Sequence, residues 1–397
     1  MKKETVKTIL KNIPVYIMLA MLLVFAVFFI VFPKKEFSEN ENRMLAKFPE
    51  LSIKKISNGE FQSEFENFLS DQFPLRDNLL SVSVRASRLG GKKEINDVIY
   101  IRDEKDRLRL LDVYKKPENK EKFANTVNTF SGKLNNANVV VMLVPTAINH
   151  YEEELPKLYK MQERPLEKDT LNYFEGQFSN VSYVMGISET LSLGKATCDS
   201  MYYRTDHHWT MQGAYKGYCC LAPYLYIPVK EKTYDDFQTV SKDFYGTTWS
   251  KVCDTAVSPD PIEIYENPEW AGNITVTYED TKEITDSPYN KEYLNKKDKY
   301  SMYLNNQHSL IHIENPNADL ERTDDSEHSS LVIIKDSYAN SLVPLLIDQY
   351  ETIWVFDPRY YKGSISSWIN EHKEVEDVLI LYNLGTMDDD RGIGAIY

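Results

Sequence analysis

The chain is poor in the residues that usually build metal or redox centres. Its four cysteines among 397 residues, Cys198, Cys219, Cys220 and Cys253, fall in no C-x-x-C spacing, and adjacent Cys219 and Cys220 are badly placed to pair with each other. A Cys198 to Cys253 bridge is permitted outside the cell; buried free thiols are the alternative. Histidine is scarce too, seven in all, and the adjacent His207 and His208 take part in neither an H-x-x-x-H nor an H-E-x-x-H pattern, so no metal and no cofactor is expected. Basic residues are outnumbered, 46 Lys and Arg against 60 Asp and Glu, and a formal charge of −14 argues against nucleic acid and against a general affinity for anionic surfaces. Internal repeats and low-complexity tracts are missing. What is left is an ordinary globular composition, 42% hydrophobic and 12% aromatic, in a chain long enough to bury a sizeable core.

The N-terminus breaks that pattern. Ile13 to Phe32 reads IPVYIMLAMLLVFAVFFIVF, an uncharged run of the length, about 20 residues, that a helix needs to cross hydrocarbon. The following FFIVFPKK lacks the small residues of a signal-peptide cleavage site, so a retained anchor is expected in place of a cleaved signal. Lys2, Lys3, Lys7 and Lys11 precede the span and Lys34 and Lys35 follow it, an excess that favours a cytoplasmic N-terminus and an outer C-terminal domain. The expected organisation is a tail over 1–12, a membrane span over 13–32, a helical juxtamembrane stalk over 33–95 and one large domain over 96–397. In the stalk Phe61, Phe65, Phe68 and Leu69 recur at helical spacing, and Pro74 interrupts before a second helical run from Leu75.

Beyond the stalk, short aliphatic runs alternate with helical or polar stretches, which is the pattern of an α/β sheet. Val139 to Val144, Leu331 to Ile334, Thr352 to Phe356 and Val378 to Tyr382 are nearly continuous in β-branched and aliphatic residues, as suits strands covered on both faces. Val181 to Met185 is a weaker fifth. Helices are expected over Lys120 to Asn135, Met211 to Tyr224 and Asn340 to Gln349. From about 233 to 329 the chain is polar, with weak β pattern at Ile274 to Tyr278 and Leu310 to Ile313, and reads as an insertion lying over the sheet.

Functional groups of open parallel sheets gather at the carboxyl ends of strands. The strand LVII runs into KDSYAN and puts Ser337 in the turn before a helix, where it is either a nucleophile or, like Asp336, a helix cap. The stretch YYRTDHHWT bears on that choice. A serine hydroxyl needs a base, and the base works best when a carboxylate fixes its tautomer; Asp-x-His supplies both within three residues. In an extended segment Asp206 and His208 project to one side and His207 to the other, making His207 the bystander and Trp209 a packing residue. Weaker candidates for substrate or oxyanion contact are Asn383 in LYNLGT, Arg359 and Tyr360 in DPRYY, and Arg204 beside the DHHW motif; core or turn roles fit them equally.

FSENENRMLAKFP, DQFPLRD, VVVMLVPT, DHHW, KDSYAN and DPRYY occur in one order from about Phe37 to the last strand. The chain thereby resembles the bacterial DHHW family, which is similar to the extracytoplasmic SGNH-hydrolase-like proteins that O-acetylate alginate. The resemblance implies an SGNH-like three-layer α/β/α domain with a mostly parallel sheet and a Ser-His-Asp triad, here Ser337, His208 and Asp206. It further implies transfer of an acyl group, acetyl foremost, to an extracellular or cell-wall polysaccharide, with a polytopic membrane acyltransferase as donor partner. Lys335 stands where the wider SGNH pattern has glycine, and the triad order is Asp, His, Ser, so oxyanion residues do not carry over. A carbohydrate esterase with the same triad and a catalytically silent glycan-binding scaffold are the rival readings.

Overall fold

The computed structural model describes residues 2–41, 43–160, 167–195, 201–387 and 392–397. Cys198, and with it the pairing to Cys253, lies outside them; Cys219 and Cys220 are half-buried free thiols. Chain contacts divide the protein into one unit of residues 1–91 with 252–255 and a larger one of 92–251 with 256–397.

The smaller unit begins with the helix Lys2–Val31, in which Lys11–Val31, with a mean hydropathy of 2.8, is long and apolar enough to cross a membrane. Helices Glu60–Asp71 and Arg76–Leu89 follow, and the phenylalanine spacing read from the sequence has a clear use. Phe61, Phe65 and Phe68 line one face of the first helix, where neighbouring rings stack and Phe48 packs edge-on against the last two. Gln72 closes the unit: its amide binds Lys35 N at 3.0 Å, Lys35 O at 2.8 Å and Ala46 O at 3.1 Å.

In the larger unit a small antiparallel sheet comes first, β1 (Glu94–Ile95), β2 (Val98–Arg102) and β3 (Leu108–Asp112). The main sheet then collects β4 (Asn138–Val144) and β5 (Ser182–Tyr183), while β6 (Phe237–Phe244) and β7 (Asp260–Tyr265) pair apart from it. To it are added β8 (Thr275–Tyr278), β9 (Glu283–Thr285), β10 (Leu310–Glu314), β11 (Ser330–Lys335), β12 (Thr352–Phe356) and β13 (Asp377–Asn383). The order is β9-β8-β10-β12-β11-β13-β4-β5. The five strands from β12 to β5 are parallel, and the three at the other edge are antiparallel. Every residue of β11 and β13 is buried, as suits their aliphatic centres Leu331–Ile334 and Val378–Leu381.

Register shows how the layers form. Leu381 pairs with Met142, so these two share a face and Tyr382 points to the other. Phe123 of helix Lys120–Ser131 packs edge-on against Tyr382, whereas helix Met211–Leu221 comes down on Met142. Helices therefore cover both faces, the three-layer α/β/α arrangement.

Two expectations need correction. The segment 233–329 is not wholly an insertion over the sheet: its β8, β9 and β10, whose short, polar-interrupted pattern suits an edge, lengthen the sheet, while β6 and β7 pair apart from it. The helix expected over Asn340 to Gln349 is a single turn, Ala339–Leu342, followed by 3₁₀ turns, because Pro344 cannot donate within a continuing helix.

Helix Met211–Leu221 approaches so closely that a Cβ on Gly217 would lie 2.7 Å from Trp209 Cζ3. Gly217→Val should therefore destabilise the protein by about 1–3 kcal/mol through overpacking, seen as a lower urea midpoint. An unchanged midpoint would contradict this packing.

Candidate active site

The DHHW loop is not extended. Tyr202 and Trp209 form an antiparallel bridge, Thr210 N donates to Met201 O at 2.9 Å and Tyr203 N to His208 O at 3.2 Å, so residues between them curl into a tight loop. Asp206 causes the curl: its Oδ1 accepts His208 N at 3.0 Å, an Asx-type turn. The two histidine rings consequently do not diverge; their centroids are 3.9 Å apart, which corrects the opposite-side expectation.

The same Oδ1 lies 2.5 Å from His208 Nδ1. Its partner Oδ2 accepts Thr247 N at 2.7 Å and Thr247 Oγ1 at 2.9 Å. An ionised carboxylate only accepts, so Nδ1 carries the proton and Nε2 of the neutral ring presents its lone pair. Ser337 Oγ lies 2.7 Å from that Nε2. Burial by itself raises the Asp206 pKa, but the neighbouring imidazoles and the His208 hydrogen bonds outweigh it and hold the carboxyl well below the usual range. For His208 burial wins: it pushes the imidazole down to about 4, reinforced by His207 and opposed by Asp206. The site at neutral pH is a carboxylate, a neutral imidazole and a hydroxyl in line.

Ser337 sits directly beyond β11 in the turn Asp336–Tyr338. Asp336 is fully committed there, accepting from Tyr338 N at 2.8 Å, Asn383 N at 2.7 Å and the Thr386 hydroxyl. It ties the serine turn to the loop after β13. The short helix has Tyr338 as its N-cap without a side-chain cap bond, so Ser337 Oγ faces the imidazole and not the helix. Trp209, buried, donates Nε1 to Tyr338 O at 3.0 Å and Ser341 Oγ at 2.9 Å, which welds the DHHW loop to the serine turn.

Of the weaker candidates, Asn383 borders the site, whereas Arg204, Arg359 and Tyr360 are engaged elsewhere. Arg204 is buried against Asp260 at 3.1 Å and Pro259 O at 2.5 Å, where it anchors the loop to β7. Asn383 spends its Nδ2 on Val144 O at 3.0 Å and Pro145 O at 3.2 Å, fastening the ends of β13 and β4. Arg359 grips Asp357 at 2.8 and 2.6 Å, the carboxylate that also meets buried Lys335 at 3.4 Å. Tyr360 is largely exposed and bonds Gln307.

Residues missed in the sequence come from the polar 233–329 stretch. Tyr300 lies flat on His208, with centroids 3.8 Å apart and planes 10° from parallel, and its hydroxyl donates to Ser337 O at 3.0 Å. Thr247 braces Asp206 and also meets His207 Nδ1 at 2.6 Å, so His207 joins the network from the far side. Gly246 makes room: a Cβ there would lie 2.2 Å from Asp206 Cβ and Oδ2. A glycine beside two threonines in an aromatic stretch, FYGTTW, is the one local feature of the sequence at this place, and by itself it does not mark a site.

Donor atoms of Asp206, His207 and His208 lie within 4.8 Å of one another, a grouping that would suit a metal. Both ring nitrogens of His208 are already engaged, by Asp206 and Ser337, and His207 Nδ1 by Thr247. The donor set fits a proton relay better than coordination. A cavity of about 370 Å³ opens beside it, its lining including Asp206, His207, Tyr338, Asn383, Thr386, Asp112 and Lys251.

The profile of the DHHW protein family matches residues 113–356. No curated protein matches the sequence. A crystal structure of a DHHW family protein from Eubacterium siraeum superposes with a TM-score of 0.63 at 24% identity, covering 76% of this chain and 95% of that one. PatB1 of Bacillus cereus, solved with a sulfonyl adduct, gives 0.59 at 22%, covering 76% and 99%. The O-acetyltransferase domain of Pseudomonas putida AlgJ is a weaker likeness, 0.43 at 13%, over 74% and 93%.

Only the neutral imidazole accepts a proton, and its population falls as pH drops through the His208 pKa. Modification of Ser337 by a fluorophosphonate should therefore stay near its maximum down to about pH 5 and fall with a midpoint near 4, read from the labelling rate. A midpoint at the ordinary imidazole value would contradict the burial. Gly246→Ala should slow the same labelling by about 10²-fold through displacement of Asp206, with Thr247→Val acting in the same direction.

Proposed function

The chain belongs to the DHHW family, and we propose that it is a membrane-anchored, extracytoplasmic O-acyltransferase that moves an acyl group, acetyl foremost, onto hydroxyls of an extracellular or cell-wall polysaccharide. The observation that carries this reading is Ser337 Oγ at 2.7 Å from His208 Nε2, with Nδ1 of that ring on the Asp206 carboxylate. Ser337 attacks the acyl carbonyl of the donor as His208 takes its proton, and the leaving group departs with that proton from His208. The acyl-serine is then attacked by a sugar hydroxyl, deprotonated by the same Nε2, and Ser337 is regenerated. Asp206 holds the tautomer and stabilises the transient imidazolium.

The adjoining cavity suits the acceptor, since its carboxylates, hydroxyls and lysine match a ring rich in hydroxyl groups. A polytopic membrane acyltransferase is the donor partner in this scheme, and the apolar helix Lys11–Val31 keeps the two at high effective concentration in the bilayer. Transfer in place of hydrolysis rests on the family's similarity to alginate-acetylating proteins.

p-Nitrophenyl acetate should leave an acetyl group on the peptide bearing KDSYAN, seen as a mass increase that Ser337→Ala removes. His208→Ala should depress acylation by about 10⁴-fold or more, while His207→Ala keeps a large part of it. Adding the right oligosaccharide should speed loss of that acetyl group and place it on sugar. Release to water alone would assign an esterase, and failure of both the ester and a sulfonyl fluoride to modify Ser337 would assign a scaffold.

A further inference from the structure

The apolar helix packs against its own unit near its C-terminal end. Phe73 packs on Phe25 with centroids 5.1 Å apart, and Phe68 packs on Phe29 at 5.8 Å. Lys11 marks the other end of the uncharged run, and Phe25 lies fourteen residues beyond it, about 21 Å along a helix axis in a hydrocarbon layer of about 30 Å. In a chain anchored by this helix, Phe25 sits about 9 Å inside the boundary that Val31 approaches. Sliding the helix outward to free Phe25 would draw Lys11 and then Lys7 into hydrocarbon, which is costly. Phe73 is held beside Phe25 by that ring contact and by its neighbour Gln72, which is fastened to both backbone groups of Lys35, four residues past the helix.

We propose that the turn Gln72–Leu75 and the start of the helix after it form a membrane-inserted wedge, contacting lipid of the leaflet that receives the C-terminal end of the span. This rests on the anchored reading above. The wedge has the composition of one. Leu75 is 58% exposed and Leu79, one turn on, is 45% exposed, and Leu69 adds a third apolar side chain on the preceding helix. Leu75 also takes φ 59°, a left-handed conformation that leucine rarely adopts and where a water-facing turn would normally carry glycine or asparagine. The nearby charges are paired in place: Asp71 binds Arg43, Arg76 binds Glu41 and also lies 3.8 Å from Asp77, whose carboxylate accepts from the Asn40 amide. Such a surface matches the apolar insertion of about 5–10 Å seen for interfacial elements.

The test uses the full chain, its native cysteines replaced by serine, in vesicles of phosphatidylcholine and phosphatidylglycerol. Nitroxide labels go on Leu75→Cys, on Leu79→Cys as a second reading, on Leu22→Cys within the span and on exposed Lys105→Cys in the larger unit. Collision with oxygen and with a water-soluble nickel chelate is then compared. The proposal expects the labels at 75 and 79 to match Leu22→Cys, rich in oxygen and poor in nickel collisions. A water-like label at 75 beside a lipid-like one at 22 overturns the wedge and leaves the anchor standing. A water-like label at 22, or a mature chain that starts beyond Phe32, overturns the anchor and the wedge together. Shielding of 75 from both reagents overturns lipid as the occupant in favour of a protein.

Discussion

The Asp206 carboxylate accepts four hydrogen bonds from two segments, His208 N and Nδ1 at one oxygen and Thr247 N and Oγ1 at the other. The first pair shapes the DHHW loop and sets the imidazole; the second pins that loop to the helix Thr247–Ser250. Each partner is in turn held. The loop is sewn to the serine turn by Trp209 and to β7 by the Arg204–Asp260 pair, and Thr205 adds its backbone and hydroxyl to the same Asp260 at 2.8 and 2.7 Å. Buried charges of this kind contribute little net stability, yet removing one partner leaves the other uncompensated. They act here as locating pins.

The segment 233–329 is accordingly part of the machinery. It supplies Thr247, Gly246, Asp260 and Tyr300, every one in contact with the DHHW loop or the serine turn, and it lengthens the sheet by three strands. The Ser337, His208 and Asp206 arrangement would lose its floor and one wall without it. A chain segment with weak secondary-structure pattern can still be the one that fixes the geometry.

How much of this was readable in the amino-acid order follows from range. β4, β11, β12 and β13 announce themselves because a strand covered on both faces has to be aliphatic throughout, and that is a local property. Asp206 and His208 stood out for the same reason, two partners within three residues, and Ser337 by its place after a strand. The structure brings His208 and Ser337 together across 129 residues. The curl of residues 203–208 was hidden because it depends on a side chain capturing a backbone N–H, which competes with extension without altering the apolar pattern. Tyr300 and Gly246 were hidden because stacking and close approach belong to tertiary structure; nothing in the neighbours of Tyr300 marks it. Arg204, Arg359 and Asn383 drew attention as polar residues near strand ends, and each proved to be spent on a carboxylate or on strand-end carbonyls.

The flat contact of Tyr300 on His208 acts unequally on the two protonation states of the ring. A neutral imidazole gains only dispersion from a parallel phenol, whereas an imidazolium in the same place lies over negative π density. If His208 takes the Ser337 proton as proposed, the attraction grows as the proton arrives and relaxes when it leaves. Tyr300 is then bound more tightly to the transition state than to the resting site, and its removal would cost turnover more than it costs substrate affinity.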